Sequence, residues 1–207
     1  MGNEQHIWPQ GLPKFDIDQV NQLIRHRRSI KPKDFSGEEI NREEIEVLLE
    51  NAHWAPSHGQ NEPWFFVVFA GEGRQKLGEA HAAIYKEHTP AESFKQAKFE
   101  KLAKMPLLSS HVIAICRRRK EPNKIPVIED VEAVASAVQN LHLSATAMGL
   151  AGFWASGGAT YLPAMCEFLG LGEDDAVLGL FYLGRTQKEW PQGTRRAPWG
   201  DKVRWVE

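Results

Sequence analysis

Three short segments of almost unbroken hydrophobic residues limit the folds that this chain can adopt. A strand with one solvent-exposed face alternates apolar and polar residues, whereas a strand that is buried on both faces is apolar throughout. The three segments are rich in aromatic and β-branched residues, which favour strands, and they read WFFVVF (64–69), HVIAIC (111–116) and AVLGLFYLG (176–184). A shorter candidate strand, GFWASGG (152–158), runs into a glycine-rich turn. The pattern therefore predicts a buried β-sheet.

Apolar residues at helical spacing predict helices between these strands. The predicted helices span residues 15–27, 41–55, 74–87, 91–104, 129–148 and 162–169. Asn41 and Glu44 have the spacing of a capping box, and the lightly patterned segment 91–104 is interpreted as exposed or mobile. The segment 129–148 is rich in small residues, so we expect it to pack on several sides. The order of elements indicates an α+β or α/β fold without regular strand–helix alternation.

The composition is that of an ordinary globular chain. Its 207 residues suit one domain of about 100–200 residues, and a net charge of -2 gives no basic surface for nucleic acid. The basic run RRRK (117–120) is interpreted as a solvated loop that could attract a phosphate-bearing ligand. No apolar run approaches the roughly 20 residues of a membrane span. Cys116 and Cys166 stand alone in apolar surroundings, which favours core positions and a cytoplasmic location.

The sequence lacks the motifs that would place a reactive group on the protein itself. It contains no H-E-x-x-H, no Walker loop, no G-x-S-x-G and no G-x-G-x-x-G after a strand. His53 and His58 are five positions apart across a proline-broken loop, which is weak support for a metal site. Four other histidines are interpreted as surface or capping residues: His26, His81, His88 and His142. If the chain is an enzyme, we therefore expect a bound cofactor to carry the chemistry.

Four irregular polar stretches border the predicted core: RHRRSIKP (25–32), HWAPSHGQNEPW (53–64), WASGG (154–158) and RRAP (195–198). Arginine binds phosphate well because its guanidinium donates two parallel hydrogen bonds. The alternative for Arg27 and Arg28 is pairing with the dipole of the preceding helix. The second stretch could be a proline-rich surface turn, although Trp54 and Trp64 should hold it against the core. The glycine pair beside Trp154 could form a tight turn or expose backbone N–H groups to a flat ligand.

Together these stretches resemble the FMN-dependent nitroreductase family, and its small YdjA-like branch in particular. The resemblance rests on RRSIKP, NAHWAPSHGQNEPWFFVV, VQNLHLSATAMGLAGFWASGG and RRAPWGD, in that order, over roughly residues 20–198. It implies an α+β, three-layer fold with a central mixed β-sheet, flanking helices and an intertwined homodimer. It further implies a single domain over residues 1–207, with an N-terminal tail (1–14) and an extended C-terminal arm (185–207). This arm, which carries three tryptophans, would pack on the partner subunit.

The resemblance also implies FMN at the subunit interface. The implied cofactor contacts are Arg27, Arg28, Ser29, His58, Glu62, Ala155, Ser156, Gly157 and Arg196. The first three would hold the phosphate, the ribityl chain or the pyrimidine edge, and the 155–157 turn would present backbone donors to the ring. Arg196 would reach the phosphate with Arg195 beside it. Lys31 replaces a family arginine and Glu62 a family glutamine, so Glu62 would face away from the flavin or form an ion pair.

The function implied by the resemblance is electron transfer through the flavin. NADH or NADPH would reduce FMN, and a nitroaromatic, quinone or similar small-molecule acceptor would reoxidise it in a ping-pong sequence. No protein side chain would act as a catalytic residue, and no metal is expected. Two alternatives remain open: another chemistry on the same fold, such as reductive dehalogenation or flavin fragmentation, and a flavin-binding module without turnover. The residues distinguish neither NADH from NADPH nor one acceptor from another.

Overall fold

The sheet has four strands, and every neighbouring pair is antiparallel. The computed structural model describes residues 9–119 and 124–207. The strands are β1 (Trp64–Phe69), β2 (His111–Arg117), β3 (Ala151–Ala155) and β4 (Ala176–Gly184), in the spatial order β1-β2-β4-β3. An isolated parallel bridge joins Ser29 to Gly152 at the β3 edge. The sheet is therefore antiparallel where a mixed sheet was expected, and this bridge lies outside its four strands.

Six α-helices accompany the sheet in the described residues: α1 (Ile17–His26), α2 (Arg42–His53), α3 (Glu72–Glu87), α4 (Gln96–Lys104), α5 (Val127–Ala147) and α6 (Pro163–Phe168). The capping box predicted at the start of α2 is confirmed. The Asn41 side chain accepts a hydrogen bond from the Glu44 N–H (2.8 Å), and the Glu44 carboxylate accepts one from the Asn41 N–H (3.1 Å). The local sequence therefore determines where α2 begins.

The helix predicted from residue 91 begins later, at Gln96. The chain first forms a turn in which two N–H groups, those of Ser93 and Phe94, donate to the Pro90 carbonyl. Most of α4 is exposed, as interpreted, but Leu102 is buried and α4 packs on α3. Its sparse apolar residues are sufficient for one buried face.

Helices cover both faces of the sheet. On one face, Leu48 of α2 and Leu141 of α5 share a buried cluster with Phe181. On the other face, Leu77 of α3 belongs to a second cluster with Tyr182. The neighbouring β4 residues Phe181 and Tyr182 thus point to opposite faces, as a pleated strand requires. The α+β, three-layer arrangement is confirmed. Within the described residues, no helix combines the length and the hydrophobicity that crossing a membrane demands.

The end of β2 differs in part from the prediction. Cys116 is a core residue as predicted, and burial raises the pKa of its thiol to about 12. The basic run that follows is solvated only in part, at the exposed Arg118. Arg117 is buried, and Arg119 pairs with the buried Asp130 carboxylate at 3.2 Å; Lys120 lies outside the described residues. The arginines therefore contribute to the fold, because their partners come from distant parts of the chain.

The crossing of α3 and α4 gives a stability prediction. A Cβ atom at Gly78 would overlap the backbone carbonyl oxygen of Ala103, so the two helices touch through their backbones. We expect Gly78→Ala to lower the free energy of unfolding by up to about 2 kcal/mol, because overpacking costs about 1–3 kcal/mol and helix propensity returns only about 1 kcal/mol. Urea unfolding followed by circular dichroism measures this difference.

Gly73→Ala, in the same helix, is the matched control. Its Cβ atom would meet the Phe69 side chain at 3.7 Å, an ordinary contact distance. We expect this variant to be neutral or slightly stabilising, because alanine has the higher helix propensity. Equal stabilities of the two variants would show that the helix backbones do not touch at Gly78.

Candidate functional site

Two of the predicted stretches meet at the β3 edge of the sheet. The chain that leaves α1 runs beside β3, where Ser29 bridges to Gly152 and the Ile30 N–H donates to the Gly152 carbonyl at 3.0 Å. The 155–157 turn begins where β3 ends. Segment 27–29 and turn 155–157, which are far apart in sequence, therefore lie along one edge.

Arg27 carries a positive charge that no carboxylate in the described residues neutralises by an ion pair. Its guanidinium contacts the His142 Nδ1 at 3.4 Å and is half-buried. Burial, followed by the charges of Arg195 and Arg28, lowers the pKa of Arg27. Arginine nevertheless remains charged at neutral pH, since its ordinary pKa lies far above 7. The result is a group of guanidinium charges that repel one another and would attract an anion.

Arg28 has a different environment from Arg27. Its guanidinium donates to three backbone carbonyls, those of Pro191 (2.9 Å), Arg25 (2.6 Å) and Arg27 (2.9 Å). Two of these acceptors lie at the C-terminal end of α1. This arrangement agrees with the alternative left open for Arg28, pairing with the dipole of the preceding helix. The third belongs to the C-terminal segment. Arg28 thus fastens that segment to the end of α1, while the Arg27 guanidinium keeps donors available for a ligand.

The C-terminal segment brings the fourth polar stretch to the same place. The Trp190 Nε1–H donates to the His26 carbonyl at 2.7 Å, which lays the following residues along the end of α1. Arg195 is exposed and acts on the Arg27 charge. Arg196 is also exposed, and no described hydrogen bond or ion pair joins it to segment 27–29. Of these two neighbouring arginines, Arg195 is thus the one whose charge lowers the pKa of Arg27.

Two adjoining cavities lie beside the 155–157 turn. The first, of about 240 Å³, is lined by Ala155 and Gly157 and shares Lys101 and Phe153 with the second, of about 390 Å³. Five lysines line these cavities: Lys31, Lys33, Lys98, Lys101 and Lys104. None of them forms an ion pair with a carboxylate in the part of the chain that the structure describes. The pair of cavities therefore combines an apolar wall with unneutralised positive charge.

Sequence reasoning missed the three lysines of α4. Lys98, Lys101 and Lys104 are spaced by three residues, and this spacing places side chains on one helix face. The spacing of these lysines could have identified them, but the prediction for this segment considered its apolar residues alone. Lys31, whose role the resemblance left open, comes from segment 25–32 and faces the same cavity as Lys101.

Two histidines are buried, so their interpretation as surface or capping residues is wrong. His81 and His142 are 1% and 5% exposed, and burial lowers the pKa of each imidazole to about 4. Both rings are therefore neutral near pH 7. The Ala159 N–H donates to the His81 Nε2 at 3.0 Å, which ties the chain just after the 155–157 turn to α3. The partners lie far away in sequence, and for this reason local patterns did not reveal them.

The other two histidines confirm the capping interpretation. The His26 Nδ1 lies 2.7 Å from the Gln22 carbonyl oxygen, and the His88 Nδ1 lies 3.0 Å from the Ile84 carbonyl oxygen. Each ring thus lies against a backbone carbonyl in the last turn of the helix that it ends. Unlike the two buried histidines, they have partners only four positions away.

The HWAPSHGQNEPW stretch lies elsewhere in the subunit. His58 pairs with Glu129 at 2.6 Å, near the start of α5, whereas segment 27–29 contacts His142 near its end. Positions 129 and 142 are separated by roughly 20 Å along a helix with a rise of about 1.5 Å per residue. Glu62 is exposed, and its N–H donates to Ser57. Within one chain, His58 and Glu62 are therefore not part of the β3-edge group.

Asp130 holds this loop in place. Its buried carboxylate accepts a hydrogen bond from the Asn61 side chain at 2.6 Å in addition to the ion pair with Arg119. Trp64 anchors the loop as predicted, since its Nε1–H donates to the His53 Nδ1 at 3.1 Å and it packs against the core. The prediction for Trp54 is wrong, because this ring is 77% exposed. Its Nε1–H donates to the Glu50 carboxylate at 3.1 Å, on the surface of α2.

Comparison with known sequences gives the same family as the four sequence motifs. Residues 24–185 match the Nitroreductase family. YdjA of Escherichia coli (strain K12), a protein named for NAD(P)H nitroreductase activity, is 29% identical over 145 residues, which are 70% of this chain and 77% of YdjA. YfhC of Bacillus subtilis (strain 168), which bears the same kind of name, is 28% identical over 186 residues, which are 88% of this chain and 92% of YfhC.

Solved structures share the fold. A nitroreductase-like family protein from Bacillus cereus is 28% identical, with a TM-score of 0.78 over 95% of this chain and 99% of that chain. The FMN-dependent nitroreductase NfnB from Mycobacterium smegmatis, solved in complex with NADPH, is 19% identical, with a TM-score of 0.70 over 93% of this chain and 100% of that chain. At this identity NfnB supports the fold alone. Because the family match spans residues 24–185, the chain belongs to the nitroreductase family.

Proposed function

We propose that the chain binds FMN along the β3 edge and is an NAD(P)H oxidoreductase of the nitroreductase type. The observation that carries the proposal is the placement, on one edge, of the unpaired Arg27 guanidinium and the lysine-lined cavities beside turn 155–157. A flat ring system with a dianionic phosphate complements both features. The M. smegmatis protein NfnB, which has the same fold, is FMN-dependent and binds NADPH.

At the phosphate end, Arg27 and Arg195 would hold the phosphate, with Ser29 as a hydroxyl donor and Arg196 beside them. Guanidinium forks suit phosphate because each donates two parallel hydrogen bonds. Arg27 is suited to this task because its charge is not already neutralised by a carboxylate in the described residues. Arg28 would keep the C-terminal segment in position through its carbonyl contacts.

At the ring end, the backbone N–H groups of Ala155, Ser156 and Gly157 would donate hydrogen bonds to the ring. Lys31 and Lys101 line the cavity of about 390 Å³. They would stabilise negative charge on the bound ligand. When bound, FMN would supply the redox chemistry, accepting a hydride from NADH or NADPH and passing electrons to a nitroaromatic, quinone or similar acceptor. One site would serve donor and acceptor in turn, which gives ping-pong kinetics.

We also propose a homodimer with FMN at its interface. None of the residues of α1 is buried within the subunit, and Ile17 and Ile24 are 66% and 49% exposed. A second copy would cover this apolar face. It would also bring its own loop with His58 and Glu62 to the β3 edge, which that loop cannot reach within one subunit. Cys116 and Cys166 are unpaired, which favours a reducing compartment such as the cytoplasm.

The colour of the purified protein tests the proposal. We expect a yellow protein with the absorbance of bound FMN, which bleaches within turnover time after anaerobic addition of NADH or NADPH. A nitroaromatic or a quinone should then restore the absorbance. Stopped-flow spectroscopy of the two half-reactions gives the rate of each and shows which nicotinamide is preferred.

Other results would point elsewhere. A yellow protein that NADH and NADPH do not bleach would be a flavin-binding module. If the protein is colourless and does not quench FMN fluorescence on reconstitution, the assignment of the β3 edge fails. FMN that is only adsorbed to the protein surface would be released on dialysis at moderate salt, so dialysis precedes the measurement.

A further inference from the structure

His142 joins two successive residues of the candidate phosphate site from behind. Its Nε2 lies 2.9 Å from the Arg28 carbonyl oxygen, and its Nδ1 lies 3.4 Å from the Arg27 guanidinium. A carbonyl can only accept, so the proton of the neutral ring is on Nε2 and the Nδ1 lone pair faces Arg27. The contacts thus determine the tautomer.

The ring is held firmly in this orientation. It packs edge-on against Phe181, with ring centroids 5.0 Å apart and planes at 84°. Gly152 leaves room for it, because a Cβ atom there would lie 3.0 Å from the His142 Nε2 and closer still to Phe181. Gly152 also bridges to Ser29, so the glycine that makes room for the ring also holds the next residue of the segment.

A neutral acceptor has a specific advantage at this position. A carboxylate would orient the Arg27 guanidinium equally well, but it would also neutralise the charge that a phosphate requires. A neutral imidazole orients the guanidinium and leaves its charge unpaired. Burial keeps the ring neutral near pH 7, since it lowers the pKa of His142 to about 4.

We infer that His142 is a positioning residue for the phosphate of the bound flavin. It acts through Arg27 and the Arg28 carbonyl, and it does not contact the ligand. The inference rests on the proposed function, because it assumes that segment 27–29 holds FMN. It predicts that His142 contributes to the binding of FMN and not to the binding of riboflavin, which has the same ring and lacks the phosphate.

The experiment compares the two flavins in full-length protein. Apo-protein with His142→Leu is titrated with FMN and with riboflavin, and quenching of flavin fluorescence gives each Kd. We expect the Kd of FMN to rise about tenfold, the effect of one lost hydrogen bond to a charged group, and the Kd of riboflavin to change less than about threefold. His142→Gln, whose amide can donate to Arg28 and accept from Arg27, should restore FMN binding.

His88→Leu is the matched control, because it removes a histidine that also binds a backbone carbonyl but lies on α3 away from Arg27. It should leave the ratio of the two Kd values unchanged. In an Arg27→Ala background, His142→Leu should have a clearly smaller effect on FMN, since only the contact with the Arg28 carbonyl is then left to lose. If His142→Leu does not fold, His142→Asn, which is too short to reach both partners, takes its place.

Two results would overturn the inference. Equal weakening of FMN and riboflavin by His142→Leu would make His142 a core residue without a role in phosphate binding. A full effect of His142→Leu in the Arg27→Ala background would show that it does not act through Arg27. Failure of the proposed function is a separate result, because wild-type apo-protein would then bind neither flavin.

Discussion

Arg27→Ala is expected to lose FMN on dialysis, with a rise in Kd of about 100-fold. The guanidinium would donate two charge-assisted hydrogen bonds, each of which contributes about 1.5–3 kcal/mol. At the lower end of that range, loss of both bonds costs about 3 kcal/mol, which corresponds to a rise of roughly 100-fold in Kd. The apo-protein should not be destabilised by the change. Burial, Arg195 and Arg28 all lower the pKa of Arg27, so the charged form costs stability at every pH below the folded pKa, including pH 7.

Arg27→Lys separates charge from geometry, because lysine keeps the charge and loses the fork. We expect its Kd for FMN to lie between those of wild type and Arg27→Ala. In the C-terminal segment, Arg195→Ala should weaken FMN more than Arg196→Ala, because Arg195 acts on the Arg27 charge. If Arg27→Ala and Arg196→Ala both stay fully yellow after dialysis, the phosphate is not held by these residues. Fluorescence titration of apo-protein and thermal unfolding measure the two quantities.

The sequence predicted the elements that depend on local patterns. β4 spans the predicted residues 176–184 because a continuous apolar run ends at Gly184. α2 begins at its capping box because Asn41 and Glu44 are only three residues apart. In both cases the residues that decide the structure lie within a few positions of one another.

The sequence did not predict contacts between distant residues. His142 was interpreted as a surface or capping residue because its partners, Arg27 and Arg28, lie 115 and 114 positions away. A buried polar side chain is identified by the groups that satisfy its hydrogen bonds, and a linear pattern does not contain them. The same reason applies to Arg119 and Asp130, whose pairing also anchors the loop before β1.

The candidate site was predicted in part. The resemblance gave the order of the motifs along the chain, but not which of them meet within one subunit. Segment 27–29 and turn 155–157 lie along one sheet edge and Arg195 acts on Arg27, whereas His58 lies at the other end of α5. Chain order cannot distinguish a site within one subunit from one shared by two, because both arrangements have the same sequence.

Deletion of residues 199–207 is expected to convert the proposed dimer into monomers. The start of the C-terminal arm is fastened to its own subunit, where Arg185 pairs with Glu44 at 2.8 Å. Its end is not covered, since Trp199 and Trp205 are 72% and 75% exposed. Two tryptophans of about 200 Å² each contribute on the order of 5–10 kcal/mol per arm when buried, before the cost of ordering the arm. We expect the dimer dissociation constant to rise at least about 1000-fold.

Sedimentation equilibrium measures that constant, and FMN titration of the same sample tests whether the site is shared. The deletion keeps Arg195 and Arg196, so any loss of FMN would come from loss of the partner and not of a phosphate ligand. Lys202→Ala in the full chain is the control, because it alters the same segment without removing apolar surface. A truncated chain that stays dimeric would mean that α1 and its exposed isoleucines suffice for association. A full-length chain that is monomeric and still binds FMN tightly would refute the shared site itself.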